Sequence, residues 1–170
     1  MNTEIVAQGF GILAAICGLW AMSQPSEKKL KVISLSHRFC YIVHFLLLGL
    51  DLAVIANLIG FVRIAISLYS RSWFWVFVVW AVSIATAFLS QPTSFIAVLP
   101  IMASMILTLT LFRLTGAAFR IGLISGSVLW VIHNIWAGSY GGIVLESGMI
   151  VSVLVGWYRA EKAKRENKLP

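Results

Sequence analysis

Seven apolar segments, separated by short polar or turn-forming stretches, constrain what this chain of 170 residues can fold into. Each segment is close to the roughly 20 residues that a helix needs to cross the hydrocarbon core of a bilayer. Only 11% of the residues are charged, whereas soluble domains average about 25%. The pattern argues against a soluble enzyme, a disordered chain or a disulfide scaffold, and it predicts an all-α membrane protein with seven transmembrane helices. The segments cover approximately residues 5–23, 32–49, 52–69, 73–89, 95–112, 119–136 and 143–158.

The basic residues alternate along the chain with the apolar segments. The sequence has 13 Lys and Arg residues against six Asp and Glu residues. Lys and Arg follow the first, third and fifth segments and recur in the C-terminal tail, whereas the N-terminus and the other loops contain none. Because positively charged loops stay in the cytoplasm, this alternation predicts an N-out, C-in topology. We therefore interpret the net charge of +7 as a topology signal and expect no nucleic-acid partner.

An internal repeat is indicated by an offset of 89 residues, which aligns the second and third segments with the sixth and seventh. The same offset places the first segment on the fifth and leaves the fourth unmatched. This layout predicts a parallel repeat of two three-helix bundles, residues 1–72 and 91–160, joined by a linker helix over 73–90 and followed by a basic tail over 161–170. The aligned identities are His44 with His133, Gly49 with Gly138, Ser36 with Ser125, Val62 with Val151, and Tyr69 with Tyr158.

Two resemblances to known families follow from these features. The 3+1+3 layout resembles the SWEET and PQ-loop transporter superfamily, and Gln24-Pro25 is a reversed counterpart of that superfamily's Pro-Gln pair. Residues 130–142, Trp-Val-Ile-His-Asn-Ile-Trp-Ala-Gly-Ser-Tyr-Gly-Gly, resemble the YgjV-type family of bacterial inner membrane proteins. The second resemblance implies a multi-pass protein of the bacterial inner membrane. The first implies passive transport of a small polar solute, with the third helix of each repeat facing it, and it supplies no substrate.

Four polar residues at membrane depth, His44, Asn57, His133 and Glu146, are the candidate solute-binding residues. Their distances from the predicted turns place His44 level with Asn57 and His133 level with Glu146. The repeat therefore predicts a ring of these side chains in the outer half of the bundle, and polar groups at this depth are functional hypotheses by default. The alternative is a hydrogen bond between His133 and Glu146 that ties two helices together. The same pair is also a candidate proton site.

Two aromatic residues and two arginines complete the candidate site. Tyr41 and Trp130 lie one helical turn deeper than the two histidines on the same faces, where their rings could stack on a planar solute. Arg38 and Arg63 lie in the inner half and predict a cationic inner vestibule that favours an anionic solute. The alternative for both arginines is that they extend to the cytoplasmic headgroups or pair with backbone carbonyls.

We expect a transporter that facilitates the passage of a small polar solute by alternating access, with Pro100 as a candidate hinge. The alternative is a non-transporting scaffold or subunit that binds partner helices. The glycines at 122 and 126 indicate close helix packing within the bundle or, alternatively, a homodimer seam. No Cys/His spacing fits a zinc site and no phosphate-binding loop is present, so we expect no metal, no cofactor and no enzyme activity.

Overall fold

The computed structural model describes residues 3–49, 51–90, 94–136 and 140–166, and within these ranges the chain is all-helical. The predicted all-α class is confirmed, and the helices fall on the seven apolar segments. Of the described residues, the helices Thr3–Met22, Glu27–Leu47 and Gly116–Trp136 and the segment Ile143–Glu166 are long and apolar enough to span a membrane, and the seven-span count stays a prediction. Gly138 of the repeat alignment lies outside the described residues. The helices are α1 Thr3–Met22, α2 Glu27–Leu47, α3 Asp51–Tyr69, α4 Trp73–Ser90, α5 Phe95–Arg113, α6 Gly116–Trp136 and α7 Tyr140–Glu166.

α2 begins five residues before the apolar segment that predicts it. The hydroxyl of Ser26 accepts a hydrogen bond from the backbone N–H of Lys29 at 3.4 Å, so Ser26 is the N-cap of this helix. Lys28, Lys29 and Lys31 consequently lie on the first turns of α2 and not in a loop.

α7 continues beyond the seventh apolar segment and remains helical to Glu166. Lys162 and Glu166 lie 3.7 Å apart, and Lys164 and Glu161 lie 2.8 Å apart. Such pairs, three or four residues apart on an exposed helix, each stabilise it by about 0.2–0.5 kcal/mol. The predicted basic tail is therefore helical as far as it is described, and residues 167–170 lie outside the described range.

The chain forms two compact units, a first unit of Met1–Tyr69 with Val155–Pro170 and a second unit of Ser70–Leu154. In the first unit, α1 packs along α2 and α2 packs along α3. A Cβ on Gly156 of α7 would lie 2.7 Å from the carbonyl oxygen of Met22, so this close approach to the end of α1 requires glycine. In the second unit, α5 packs against α4 and α6.

α1 has small residues on its buried face and large apolar residues on its exposed face. Ala7, Ala14 and Ala21 are fully buried. Large apolar side chains outside and small ones inside are the pattern expected when lipid is the solvent, because close helix contact then comes from packing of small residues. The exposed residues of this helix include Ile5, Ile12, Ile16 and Trp20.

α6 approaches α5 closely at its two spaced glycines. A Cβ on Gly122 would collide with the buried side chain of Thr110, and a Cβ on Gly126 would lie 2.7 Å from Leu107. The GxxxG spacing on α6 is therefore used for packing inside the second unit. Gly116, with a φ of +60°, begins this helix in a conformation that glycine adopts without steric cost.

Candidate functional site

Polar side chains line the contact between α2 and α3 in the first unit. We call this line the polar seam. Asn57, Arg63 and Ser67 are all buried in it, although their helix is otherwise apolar. The α3 members recur every three or four residues and therefore share one face of the helix. The polar seam consists of Lys31 and Arg38 on α2 and of Asn57, Gly60, Arg63 and Ser67 on α3.

The guanidinium of Arg38 is fixed against α3. Its Nη1 donates a hydrogen bond to Oδ1 of Asn57 at 3.0 Å. A Cβ on Gly60, one turn along α3, would lie 3.2 Å from Nε and 3.3 Å from Cζ of Arg38. The missing side chain of Gly60 thus leaves room for the guanidinium beside the α3 backbone. Hydrogen bonds to a charged group contribute roughly 1.5–3 kcal/mol, so this contact holds the two side chains in one arrangement.

Lys31 and Arg63 extend the positive charge along the same seam. Lys31 Nζ donates a hydrogen bond to the backbone carbonyl oxygen of Ser67 at 3.1 Å. Since Lys31 lies opposite Ser67 and Arg38 lies opposite Gly60, Arg63 lies on α3 between these two levels. Three cationic side chains therefore follow one another along the contact between α2 and α3.

Arg38 lies near the middle of its helix. It is eleven residues after Glu27 and nine residues before Leu47, which places it about 16 Å from the start of α2 at a rise of about 1.5 Å per residue. Counted from residue 32, where the apolar segment begins, Arg38 is six residues or about 9 Å deep, in the inner half of that segment. Ionisable side chains inside membrane helices are candidate functional residues by default. Arg38 and Arg63, predicted as an inner vestibule, thus lie together with Asn57, which was predicted for the ring.

Two histidines join α2 to α1 in the first unit. His37 Nδ1 lies 2.8 Å from the carbonyl oxygen of Ala14, and His44 Nδ1 lies 2.6 Å from that of Ala7. Because a carbonyl oxygen only accepts, each Nδ1 carries the proton and donates. A Cβ on Gly11 would lie 3.0 Å from the ring of His44, so the small residue makes room for the imidazole.

A third histidine joins α6 to α5 in the second unit. His133 Nδ1 donates to the carbonyl oxygen of Ile96 at 3.2 Å. Ile96 lies four residues before Pro100, which has no N–H to bond that carbonyl within the helix. The donors His44 and His133 are 89 residues apart, and so are the acceptors Ala7 and Ile96.

Each of the two predicted aromatic residues contacts the histidine of its own helix. The ring centroids of Tyr41 and His44 are 6.1 Å apart with an interplanar angle of 62°. Those of Trp130 and His133 are 5.8 Å apart with an angle of 89°. Both contacts are edge-on. Tyr41 and Trp130 are 89 residues apart, as are His44 and His133. Stacking of Tyr41 and Trp130 on a solute stays a prediction.

The fourth predicted ring residue, Glu146, is half-buried on α7. The ring combines residues of both units and stays a prediction. Within its own unit, each of the other three members has a defined partner: Ala7 for His44, Arg38 for Asn57, and Ile96 for His133. Across the described residues, no three His, Cys, Asp or Glu side chains are grouped closely enough to hold a metal ion.

The sequence matches a family model, Imp-YgjV, described as "Bacterial inner membrane protein", over residues 5–164. The chain belongs to this YgjV family. It is also 30% identical over 151 residues to the inner membrane protein YgjV of Escherichia coli strain K12, a match that covers 89% of this chain and 82% of that protein. No solved structure matches the chain.

Membership of the YgjV family confirms the family resemblance of residues 130–142 and the predicted location. This YgjV-family protein is an integral, multi-pass protein of the bacterial inner membrane. Its apolar helices with large exposed side chains fit that location. The name of the E. coli relative states a location and no activity.

The sequence prediction for this YgjV-family protein missed the pairing of Arg38 with Asn57 and the role of Gly60. A signal for both was present, because the tight turn between α2 and α3 sets the register of the two helices. In that register, position 38 lies opposite position 60, and Asn57 is one turn away on the same face of α3. The direction in which the long Arg38 side chain extends was not available from spacing alone.

Proposed function

We propose that this YgjV-family protein facilitates the passage of a small polar solute across the inner membrane by alternating access. The observation that carries the proposal is the hydrogen bond between Arg38 and Asn57, a charged and an amide side chain joined within the apolar parts of α2 and α3. Intramembrane ionisable residues typically mark substrate or ion pathways.

The proposal includes the 3+1+3 parallel repeat and the N-out, C-in topology. Two pairs of contacts support the repeat. The hydrogen bonds of His44 to Ala7 and of His133 to Ile96 are related by the same 89-residue offset at donor and acceptor. The edge-on contacts of both histidines with the aromatic residue three positions earlier follow the same offset. A shared apolar composition would align letters but would not reproduce the same contacts.

We propose that Asn57 and Arg38 contact the solute in the first unit, and that Glu146 is the corresponding residue of the second repeat. The histidines contribute acceptors, since a ring that donates from Nδ1 to a carbonyl has a lone pair on Nε2 at its other side. A donor-rich arginine, an amide and an imidazole acceptor together suit a small solute that carries several polar groups.

Uptake by the purified protein in liposomes tests this function. The panel consists of radiolabelled glycerol, glucose, glutamine and acetate, with protein-free liposomes as the blank. We expect uptake of at least one solute, and counterflow of that solute from preloaded liposomes, as alternating access requires. Folded wild-type protein that gives uptake equal to the blank for the whole panel would contradict transport and favour the scaffold alternative.

Variants connect the uptake to the proposed residues. Asn57→Ala removes the acceptor of Arg38, and Glu146→Gln removes the only carboxylate between residues 52 and 160. Loss of a charge-assisted hydrogen bond is expected to lower uptake roughly tenfold or more. Asn134→Ala, which truncates a half-buried asparagine outside the proposed site, is the matched control and should retain uptake. Equal uptake by all three variants would remove the proposed site.

A further inference from the structure

We infer that the polar seam between α2 and α3 binds a small soluble oxyanion, a carboxylate or a phosphate, as the solute. This inference rests on the proposed function, because it names the substrate class for the site at Arg38 and Asn57. It is carried by the succession of Lys31, Arg63 and Arg38 along one buried helix contact, in which Gly60 lets the guanidinium of Arg38 lie against the α3 backbone.

The charge balance of the two helices favours an anion. Across α2 and α3, five Lys and Arg residues stand against two carboxylates, Glu27 and Asp51, each at the first position of its helix. Lys31, Arg63 and Arg38 follow one another along the polar seam, and like charges repel more strongly at low dielectric constant than in water. A bound anion lowers this repulsion, so the seam stabilises negative charge better than a neutral solute.

The donor geometry favours oxygen atoms as the atoms that are bound. A guanidinium presents five N–H donors in a planar fork that matches a carboxylate or a phosphate at two oxygens. Asn57 accepts one of these donors with Oδ1, and the nitrogen of the same amide is a donor group. Because Gly60 has no side chain, the guanidinium of Arg38 packs directly against the α3 backbone, which fixes the direction of its fork.

The depths of the cations describe a route to Arg38. Lys31 is four residues from the start of α2 and Arg38 is eleven residues from it, so they differ by about 10 Å in depth at about 1.5 Å per residue. Arg63 lies between their levels on the facing helix. An anion that enters at the end of the bundle where α2 begins therefore meets Lys31 first, Arg63 next and Arg38 last.

Thermal unfolding of the purified full chain in an uncharged detergent tests the inference. The probes are sodium acetate and sodium phosphate at pH 7, titrated against sodium chloride at constant ionic strength. A ligand that binds the native state raises Tm in proportion to the logarithm of one plus its concentration over Kd, which for a chain of this size is roughly 5–10 °C at a hundredfold excess over Kd. We expect this dependence with at least one oxyanion. Its absence with both in folded wild-type protein would overturn the inference.

Substitutions locate the response in the polar seam. Arg38→Gln and Arg63→Gln should abolish it, and Gly60→Ala should weaken the apparent affinity roughly tenfold, because a Cβ there displaces the guanidinium while both charges remain. Gly9→Ala, which meets nothing within 4 Å, is the matched control and should retain the response. If the arginine variants do not fold, the comparison of the two glycine variants decides. An unchanged response in Gly60→Ala and in the folded arginine variants would overturn the site.

Two further arms separate the sources of the oxyanion and the two proposals. Nanodiscs that contain phosphatidylglycerol present the same phosphate on a lipid, and a rise in Tm with this lipid but with neither acetate nor phosphate would overturn a soluble ligand. If oxyanions raise Tm through Arg38 and Arg63 but the protein takes up no solute, the anion site is supported and transport is refuted. If the protein takes up a neutral solute and Arg38→Gln does not change that uptake, transport is supported and the anion site is refuted.

Discussion

His133 satisfies the carbonyl group of Ile96 that Pro100 leaves without its helical donor. The distance from Nδ1 of His133 to that oxygen is 3.2 Å. An unsatisfied backbone carbonyl is costly in a membrane, where no water replaces the missing partner, and prolines in membrane helices are tolerated when a neighbouring helix supplies a donor. In the first unit, His44 bonds Ala7 in the corresponding way, but there Gly11 supplies the helical N–H as well.

This difference predicts unequal costs for the two histidines. His133→Leu should lower the free energy of unfolding by about 1–2 kcal/mol, because the Ile96 carbonyl then has no donor from either helix. His44→Leu should cost less, because the Ala7 carbonyl keeps its bond from Gly11. Chemical unfolding in detergent, followed by the helical circular dichroism signal, measures both.

A double-mutant cycle controls for the loss of side-chain packing. Pro100→Ala restores a backbone N–H four residues after Ile96, so His133→Leu should cost less in this background than in the wild type. The interaction free energy should be about 1 kcal/mol. If His133→Leu lowers the free energy of unfolding equally in both backgrounds, then His133 does not compensate for the backbone hydrogen bond that Pro100 removes.

The helix positions followed from the sequence because hydropathy and turn residues determine them locally. The start of α2 did not, because three lysines outweighed the Ser26 cap in an interpretation based on apolar runs. The same bias ended α7 near Tyr158, whereas exposed ion pairs such as that of Glu161 with Lys164 accompany the helix to Glu166. A rule that assigns every charged stretch to a loop therefore misses helical turns that extend beyond the apolar segment.

The candidate site was predictable in its residues and not in their contacts. The 89-residue offset predicts His44 and His133 as a matched pair, but it could not show that each Nδ1 bonds a carbonyl of the preceding helix. Placing Asn57 in a ring with His44 assumed that equal depth means contact. The long Arg38 side chain reaches Asn57 instead, since Gly60 leaves space for it.

Glycine substitutions in α1 distinguish free space from occupied space. Gly9→Ala should raise the free energy of unfolding by up to about 1 kcal/mol, because alanine is the better helix former and its Cβ meets nothing within 4 Å. Gly11→Ala should lower it by about 1 kcal/mol, because its Cβ would lie 3.0–3.1 Å from the His44 ring and disturb the bond to Ala7. Thermal unfolding of both variants measures the difference. Equal stabilisation by the two would contradict the placement of His44.

The contact between Gly122 and Thr110 predicts a compensating pair. Gly122→Ala should destabilise the protein by about 1–3 kcal/mol, because its Cβ would collide with the buried Thr110 side chain and force α5 and α6 apart. Thr110→Ala removes the Oγ1 and Cγ2 atoms that the new methyl group meets. The double variant should therefore be more stable than Gly122→Ala alone when unfolding is compared in the same detergent. An additive loss in the double variant would contradict a direct contact.

A carboxylate at position 57 tests the charge of the polar seam. Asn57→Asp places a negative charge where Oδ1 now accepts from Arg38 at 3.0 Å, so the side chain itself neutralises the guanidinium. The variant should keep its stability in sodium chloride within about 1 kcal/mol of the wild type, because the ion pair offsets the burial of the carboxylate. It should lose the rise in Tm with acetate or phosphate, because the bound carboxylate occupies the donors. Asn57→Leu, of similar volume and without an acceptor, is the control and should be less stable. A response of Asn57→Asp to these anions equal to that of the wild type would contradict binding at Arg38.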